Sequence, residues 1–558
     1  MTDGIVATLT DRPTPRTHSS PSAEPALAPG AARSRSARTR RRRLLVPSAT
    51  VALGVVLVAL ALSIGGGEAP PATGAAKLVP ADALLYVHLS TDRSRPAVRR
   101  ALALVGRLSD WPLLSGALTN RIGAPLGAPW LGREAALALL DTPGSTAGSL
   151  LVLDVRNRRQ ANAYVAGASP AGTYDRVPLF RGRSGAVLAF ASHYLLSGQA
   201  ASVRAALDVA SRRAPSLAAS SAYQQAAAGE PADRVLDAYA SVGGVRRVLE
   251  PRRGLLGALG LLLDNPALSG VTISASAVSG GLRIRIHEAL YPAAARASTP
   301  PRQFTPTLAS ALPSGSTLLL DVHGLARAAP RILAAAATAG LAGRVGPLLA
   351  RLGSALAAEG VDIPQILRIF SGESAVAISP SGSGRGARRA PALVIVSRTT
   401  HPQGTSALLA GLEAPLAQLF PPPASGAGQA PELGDIQVAG VTVHQLALAP
   451  GLQLDFAVFR GLVVVSTSVQ AIAGVARHAA TLAGTSGYQA TLADSPGRVT
   501  SLLYFDFNQL LGLGEQTGLI RGAAMLALRP DLQRIRAVGL TSTSGESDTT
   551  SELFLQIS

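Results

Sequence analysis

One long apolar run dominates the hydropathy pattern near the start of the chain. Leu44–Ile64 spans 21 residues without a charged side chain. As a helix this run would extend about 31 Å, which matches the ~30 Å hydrocarbon core of a bilayer. Four arginines, Arg40–Arg43, precede it, and GGGEAPPATGAA follows it. The positive-inside rule therefore predicts a transmembrane helix at 44–64, with the N-terminus in the cytoplasm and the remainder of the chain outside.

A cleaved signal peptide is the alternative interpretation of the same run. It would need an n-region that extends over 1–43, and the nearest A-x-A site, Ala59–Ala61, lies inside the apolar run rather than after it. We therefore favour a retained anchor in the cell membrane. Residues 1–43 lack apolar periodicity and are predicted to form a disordered, basic cytoplasmic tail. The Gly, Pro and Ala residues of 65–77 predict a linker.

Beyond the linker, the apolar pattern alternates between the periods of strands and helices. Alternate residues of Leu85–Leu89 lie on one face of a predicted strand, which places His88 on the opposite face as a polar group of the sheet surface. Apolar segments at 137–140 and 150–155 are joined by DTPGSTAGS, which is too short and turn-rich for a crossover helix. The pattern predicts an α+β fold with mainly antiparallel sheets covered by helices.

The second part of the chain repeats the order of the first. PADALLYVHL at 80–89 corresponds to PSGSTLLLDV at 313–322, and LLSGQAASVRAALDVA corresponds to VVSTSVQAIAGVARHA at a constant offset of 269. The latter pair has one apolar stripe of an amphipathic helix in each copy, formed by Val203, Ala206, Leu207 and Ala210 and by Ile472, Val475, Ala476 and Ala479. Ser197 and Ser466 are expected to cap these helices.

This self-similarity predicts the domain organisation. We expect two tandem repeated α+β units, at 78–290 and 307–558, because order and spacing agree over nearly their whole length. The Pro-rich segment 291–306 interrupts both periodicities and is predicted to be the linker between the units.

The repeated pattern resembles a known family. A membrane anchor, then VPADALLYVHL, then LGREAALALL before a strand, with the order repeated, is similar to exported bacterial proteins of the domain of unknown function 3352 family, found mostly in actinobacteria. Leu356–Ile378 fits the same pattern of apolar helix, Asp-containing turn and strand. The resemblance covers Lys77–Ser558 and implies this architecture, but no established activity, cofactor or catalytic residue. The second copy has Pro313–Gly315 where the first has Pro80–Asp82, so the Asp of that triplet is present in only one copy.

Charge and composition exclude several classes of function. The formal net charge is +18, but Lys77 is the only lysine, and an Arg-rich, Ala-rich and Gly-rich bias is typical of GC-rich coding sequences. No RNA-recognition signature or row of stacking aromatics accompanies the charge, so we do not expect a nucleic-acid partner. The chain has no cysteine, which excludes disulfides and thiolate metal sites.

Motifs for enzymatic chemistry are missing from the sequence. The eight histidines form no HExxH or other short-spaced ligand pair. No GxSxG nucleophile elbow occurs, and a GxxxxGK[ST] phosphate loop is impossible because the only lysine precedes Leu78. The sequence therefore predicts no catalytic residue, no metal site and no cofactor.

Two sets of residues remain as candidate functional groups. Glu134 and Glu373 occupy equivalent positions in the two repeats, and a pseudo-twofold axis could bring them together as an acid/base pair. The alternative is that each Glu binds backbone N–H groups before its strand. Arg385, Arg388 and Arg389 lie in the loop SGSGRGARR, which either binds an anion through its N–H groups or is simply a solvated basic loop.

Three functions fit these observations. The favoured hypothesis is a non-enzymatic binding or scaffold protein of the cell envelope, whose partner is an envelope protein, a lipid or an anionic polymer. The second is a carrier that holds a lipid or another apolar ligand between the repeats. The third is an envelope hydrolase or transferase whose residues are scattered in the sequence. Perturbed Glu or His groups in a cleft would indicate the enzyme, and a deep apolar cavity would indicate the carrier.

Overall fold

The fold is given by a computed structural model of the 558-residue chain. The structure describes residues 69–106, 128–141, 148–182, 184–248, 267–297, 301–329, 357–358, 360, 363–380, 391–418, 432–449, 452–517 and 529–558. All of them belong to one compact unit of the chain, Leu53–Ser558. The predicted tail 1–43 and the predicted transmembrane helix 44–64 lie outside the described residues. None of the helices that are described is long and apolar enough to cross a membrane.

Twenty described strands form one sheet. In the first half, defined here as residues 69–297, the strands are β1 (Leu85–Ser90), β2 (Leu131–Leu140), β3 (Gly148–Val155), β4 (Ser169–Tyr174), β5 (Val177–Arg181), β6 (Val187–Ala191), β7 (Tyr194–Gly198), β8 (Leu236–Ser241), β9 (Leu268–Val278) and β10 (Gly281–Leu290). In the second half, residues 301–558, they are β11 (Leu318–His323), β12 (Glu373–Pro380), β13 (Pro391–Arg398), β14 (Glu432–Val438), β15 (Val441–Ala449), β16 (Leu452–Phe459), β17 (Leu462–Ser466), β18 (Ser501–Asp506), β19 (Ile535–Ser544) and β20 (Asp548–Ile557).

Helices accompany the strands in both halves. The first half has α1 (Pro96–Val105), α2 (Arg158–Ala166), α3 (Ala200–Ala210), α4 (Ser221–Ala226), α5 (Val242–Val248) and α6 (Pro292–Ala297). The second half has α7 (Ile363–Arg368), α8 (Pro402–Ala410), α9 (Glu413–Gln418), α10 (Val469–Arg477), α11 (Ser486–Leu492) and α12 (Phe507–Thr517). Short 3₁₀ turns occur at Gly74–Lys77, Leu217–Ala219, Leu308–Ser310 and Leu482–Gly484.

The strand order is the same on both sides of the sheet centre. In the first half it runs β4-β5-β6-β7-β3-β2-β1-β8-β9-β10. In the second half it runs β20-β19-β18-β11-β12-β13-β17-β16-β15-β14. Strands β10 and β20 pair at the centre, with Ile284 opposite Leu553. Every pairing among the described strands is antiparallel, which confirms the predicted α+β class with antiparallel sheets.

The amphipathic helices α3 and α10 cover the sheet in equivalent places. The predicted stripe is buried at its first three positions in both copies. The fourth positions are exposed, because Ala210 ends α3 and Ala479 lies beyond the end of α10. The capping prediction was wrong, because Ser197 and Ser466 lie within β7 and β17. The residues before the helices extend each strand further than the apolar pattern suggested.

Both predicted linkers contain folded residues at their ends. Ala75 and Ala76, inside the predicted linker 65–77, are 0% and 1% exposed and belong to the core of the first half. Phe304, inside the predicted linker 291–306, is buried and forms a β-bridge with Val499. Small apolar residues in a Gly- and Pro-containing segment therefore contribute to packing here, although the composition alone resembled a solvated linker.

Each half has its own principal core. The first is formed by alternate residues of the strands together with α3 and the turn Gly74–Lys77, and the second by the corresponding elements around α10. A further cluster spans the centre of the sheet, where Leu282 and Ile284 of β10 pack with Ile557 of β20. Burial of these apolar side chains across β10 and β20 joins the two halves in addition to the backbone pairing.

Candidate functional site

A buried ion cluster lies in the middle of the first half. Strand β1 pairs with β2 on one side and with β8 on the other, so His88 of β1 lies between Glu134 of β2 and Asp237 of β8. His88 Nδ1 is 2.9 Å from Asp237 Oδ1, and Nε2 is 3.3 Å from Glu134 Oε2. All three residues are buried, and His88 is 0% exposed. The prediction that His88 is a sheet-surface group was wrong, because β1 is covered on both faces.

The two carboxylates hold the imidazole as a cation. Burial alone lowers the pKa of His88, but the charge and hydrogen bond of Asp237, together with Glu134, outweigh it and raise the pKa to about 9. Burial likewise raises the pKa of Glu134, yet its interactions with His88 and with the Tyr194 hydroxyl lower it overall. Burial also opposes ionisation of Asp237, and the charge of His88 lowers its pKa. At neutral pH the cluster therefore contains one imidazolium between two carboxylates.

A second cation completes the cluster on the β8 side. Arg234 Nε lies 3.1 Å from Asp237 Oδ1 and 3.0 Å from Glu230 Oε2. Both side chains of the Arg234–Glu230 pair are less than a tenth exposed. Burial and the charge of Asp237 raise the pKa of Glu230 to about 8. The raised pKa of Glu230 favours its protonated form beside Asp237, which limits the negative charge that the cluster buries.

Glu134 also faces outward, where a tyrosine and a backbone turn bind it. The Tyr194 hydroxyl donates to Glu134 Oε1 at 2.5 Å, and the Ala75 N–H donates to Oε2 at 3.3 Å. Gly74 makes this arrangement possible, because a Cβ at that position would overlap the Tyr194 hydroxyl. The glycine is therefore required by the close approach of the tyrosine.

A cleft of about 480 Å³ opens over Glu134. Its lining consists of Ala72, Gly74, Gly132, Arg133, Glu134, Asp154, Arg156, His193 and Tyr194. Asp154 Oδ2 accepts a hydrogen bond of 2.6 Å from the Arg133 N–H. His193 Nε2 lies 3.9 Å from Asp154 Oδ1, outside hydrogen-bonding distance. The cleft thus has a carboxylate, Asp154, on its wall and two exposed arginines, Arg133 and Arg156, at its rim.

In the second half the equivalent glutamate, Glu373, is bound differently. Thr307 stands where the first half has Gly74, and its hydroxyl donates to Glu373 Oε2 at 2.5 Å. The N–H groups of Thr307 and Leu308 donate to Oε1, the latter at 3.0 Å. Leu462 begins β17 where Tyr194 begins β7, so the threonine hydroxyl replaces the tyrosine hydroxyl. Arg398 supplies the cation, with its Nε 2.9 Å from Glu373 Oε2.

The inner position of the second half carries an acid instead of a histidine. Asp321 of β11 pairs with β12 and β18 as His88 does with β2 and β8. It is 0% exposed, and neither carboxyl oxygen has a hydrogen-bond partner among the described residues. Burial, reinforced by the charge of Glu373, raises the pKa of Asp321 to about 8. Asp321 is therefore protonated and neutral at pH 7.

The structure does not bring the candidate glutamates Glu134 and Glu373 together. Glu134 and Glu373 lie on β2 and β12, with eight strands between them, which corresponds to roughly 40 Å along the sheet. They do not share a cleft. Glu134 accepts a hydrogen bond from the Ala75 N–H, and Glu373 accepts hydrogen bonds from the N–H groups of Thr307 and Leu308. Arg385, Arg388 and Arg389 lie outside the described residues.

Sequence reasoning missed most of the cluster. His88 and Asp237 are 149 residues apart, so no short motif connects them. The sequence signal that could have found the buried groups is a titratable residue inside an otherwise apolar strand. His88 and Asp321 both have this signal. Among the described residues, no group of three or more His, Cys, Asp or Glu side chains is arranged to hold a metal ion.

Comparisons with known proteins agree with the resemblance noted in the sequence. Residues 128–557 match the family model described as a protein of unknown function, DUF3352. No sequence among curated proteins matches the chain. Two solved structures, crystal forms III and IV of TP0453, are similar at 8% and 9% identity over 39% and 40% of this chain and 80% and 85% of theirs. Their TM-scores of 0.24 and 0.23 are too low to support an argument. Because the family match covers more than half of the sequence, the chain belongs to the DUF3352 family of proteins of unknown function.

Proposed function

We propose that this chain is a single-pass membrane protein that binds a ligand at the cell envelope without transforming it, and that the cleft over Glu134 is the binding site. The apolar run at 44–64 and the arginines before it support a membrane anchor with a cytoplasmic N-terminus and an extracytoplasmic C-terminal region. A cleft of about 480 Å³ is within the range of small-molecule sites.

The main support for binding without catalysis is the protonation state and the contacts of His88 and Glu134 beneath the cleft. A general base must be free to accept a proton near the working pH. His88 is an imidazolium that both Glu134 and Asp237 contact, and it is completely buried. Glu134 is ionised, but its two oxygens already bind Tyr194, Ala75 and His88. Glu134 and His88 are therefore perturbed groups at a cleft, as expected of an enzyme, but both are already engaged with each other and with their neighbours. This engagement favours a rigid binding floor over the alternative of an envelope hydrolase or transferase.

We also propose that the extracytoplasmic region consists of two tandem repeated units, at 78–290 and 307–558. Two observations support this: the strand order recurs on both sides of the β10–β20 pairing, and side chains exchange roles at equivalent positions. In the second unit, Thr307 stands in place of Gly74, and its hydroxyl donates to Glu373 as the Tyr194 hydroxyl donates to Glu134 in the first. Among the described residues, Arg398 lies against Glu373 where the first unit has the cleft over Glu134, so we expect the ligand to bind in the first unit.

A carrier function for an apolar ligand has less support than ligand binding in the cleft over Glu134. A pocket at the centre of the sheet has a volume of about 190 Å³, and its lining includes the charged residues Arg283, Asp494 and Glu552. Arg283 and Asp494 form an ion pair of 2.6 Å there. A small pocket with charged walls does not suit an apolar ligand between the repeats.

Native mass spectrometry of the full chain, purified from its own membrane in a non-ionic detergent, tests the proposal. We expect a reproducible small-molecule adduct on the wild-type chain. Asp154→Arg should remove the adduct, because the new side chain would fill the cleft. Asp82→Arg is the matched control at an exposed aspartate and should retain the adduct. An adduct that persists in Asp154→Arg, or a bare mass for every variant, would contradict binding at this site.

The membrane topology needs its own experiment. Alkaline extraction of membranes should leave the full chain in the pellet if 44–64 spans the bilayer. Protease added outside intact spheroplasts should degrade the region after Gly65 and protect an epitope placed before Arg40. Release of the chain by alkali, or protection of its C-terminal region, would overturn this part of the proposal.

A further inference from the structure

The two halves place opposite charges at the same position beside their buried glutamates. In the first half, Asp154 of β3 follows the registered pair Ala135–Leu153, so it lies beside Glu134. In the second half, Arg398 of β13 follows the registered pair of Ser374 and Ser397 and lies beside Glu373 in the same way. A carboxylate in one half therefore corresponds to a guanidinium in the other.

Arg398 occupies the space that is the cleft in the first half. Its Nε donates to Glu373 Oε2 at 2.9 Å and to Thr307 Oγ1 at 2.9 Å, and its second guanidinium nitrogen donates to Thr307 Oγ1 at 2.7 Å. The equivalent acceptors in the first half are Glu134 and the hydroxyl of Tyr194, and both line the cleft. In the second half, the guanidinium of Arg398 therefore binds the residues that correspond to the wall of the cleft, Glu373 and Thr307.

The carboxylates at the cleft differ in how far their oxygens are already used. The negative charge of Glu134 is balanced by His88, and that of Asp237 by Arg234. Asp154 accepts one backbone N–H, and the nearby His193 is too distant for a hydrogen bond. Its carboxylate therefore has unused acceptor capacity that faces the cleft, with a side chain 14% exposed.

We propose that the cleft binds an ammonium or guanidinium group of its ligand, against Asp154, Glu134 and Tyr194, in the position that Arg398 fills in the second half. The exposed guanidinium groups of Arg133 and Arg156 at the rim favour an anion on the same ligand. The ligand is therefore a zwitterion in which an amine and a phosphate or carboxylate lie a few bonds apart. This inference rests on the proposed binding function and specifies its ligand class.

Calorimetry with two matched probes tests the inference. Ethanolamine phosphate carries both charges, whereas glycerol phosphate lacks the cation. For the full chain in non-ionic detergent, we expect ethanolamine phosphate to bind at least about tenfold more tightly, since a charge-assisted hydrogen bond contributes roughly 1.5–3 kcal/mol. Asp154→Asn should abolish that preference, and Asp82→Asn should preserve it. Arg133→Ala should weaken both probes alike, because it removes the anion contact.

The same experiment distinguishes the two sources of such a ligand. Nanodiscs of phosphatidylglycerol, with or without phosphatidylethanolamine, present the bilayer with and without the amine. Loss of ethanolamine phosphate binding only in the discs with phosphatidylethanolamine supports a lipid headgroup as the occupant. Equal binding in both discs supports a free zwitterion.

The contrary outcomes separate the inference from the proposed function. Equal affinity for the two probes, or a preference that survives Asp154→Asn, overturns the cation site and leaves the binding function standing. A second outcome is that neither probe binds, although the chain shows a native adduct that Asp154→Arg removes. This outcome overturns the zwitterionic ligand and retains the binding function. Absence of both probe binding and adduct overturns the inference and the function together.

Discussion

Replacement of Asp321 by asparagine should stabilise the protein, and by more as the pH rises. The carboxyl group of Asp321 is completely buried without a hydrogen-bond partner among the described residues, and the charge of the neighbouring Glu373 adds to the effect of burial. An amide has almost the same shape, carries no charge at any pH and can donate to Glu373. The substitution therefore removes the ionisation of Asp321 while retaining its packing.

The magnitude follows from the shift in the pKa of Asp321. The pKa is 3.8 ordinarily and about 8 in the folded chain, so folding takes up a proton at any pH between these values. Stability then falls as the pH rises, by about 1.4 kcal/mol per pH unit. Between pH 4 and pH 7 the loss attributable to Asp321 approaches ~4 kcal/mol, and it stops growing above about pH 8. The variant should be nearly equal to wild type at pH 4 and clearly more stable at pH 7.

Urea unfolding of the full chain in non-ionic detergent, followed by far-ultraviolet circular dichroism, measures this effect. Other acids, such as the half-buried Glu288, also have raised pKa values, so the relevant quantity is the difference between wild type and variant at each pH. Asp82→Asn, at an exposed aspartate, is the control and should follow wild type throughout. A difference for Asp321→Asn that stays constant from pH 4 to pH 8 would show that Asp321 does not take up a proton on folding.

Further predictions concern the first half. His88→Gln should destabilise the chain by about 3–5 kcal/mol, because it leaves the carboxylates of Glu134 and Asp237 buried without their cation. Since the pKa of His88 is raised from 6.5 to about 9, this penalty should be largest below pH 6.5 and shrink as the pH approaches 9. Urea midpoints measured across that range test this expectation, and a penalty that stayed constant would contradict it. Gly74→Thr and Tyr194→Leu, the pair found in the second half, should each destabilise alone, whereas the double variant recovers at least about 1 kcal/mol relative to their sum. Strict additivity in that cycle would show that the two hydroxyl groups are not equivalent.

The class of fold follows from local patterns, and the antiparallel sheets were predictable for that reason. Period-two alternation and short turn-rich connections are properties of neighbouring residues, and they identify hairpins such as β2–β3 without tertiary information. The extent of the sheet was not predictable in the same way. The β10–β20 pairing joins residues such as Ile284 and Leu553, and no local pattern specifies such a distant partner.

The candidate site was only partly accessible from sequence. The predicted repeat pointed to Glu134 and Glu373 as equivalent positions, and backbone hydrogen bonds to both carboxylates were the alternative to an acid/base pair. What it could not identify was the burial of His88, because alternation assigns one face of a strand to solvent, whereas β1 is covered on both faces. The sequence also does not reveal that the cation beside Glu134 is His88, whereas the cation beside Glu373 is Arg398. Both contacts depend on strand pairing between residues more than twenty positions apart.

The buried Glu134 is neutralised from beneath by a His88 imidazolium, which leaves the cleft above it open to a ligand. Nitrogen-15 NMR of histidine-labelled full chain, with the His88 resonances assigned by their loss in His88→Gln, measures this protonation state directly. Both ring nitrogens should carry protons at pH 7, and His88 should titrate near pH 9. A neutral ring at pH 7 that titrates at or below 6.5 would contradict the ion pair with Glu134 and make His88 a candidate catalytic base.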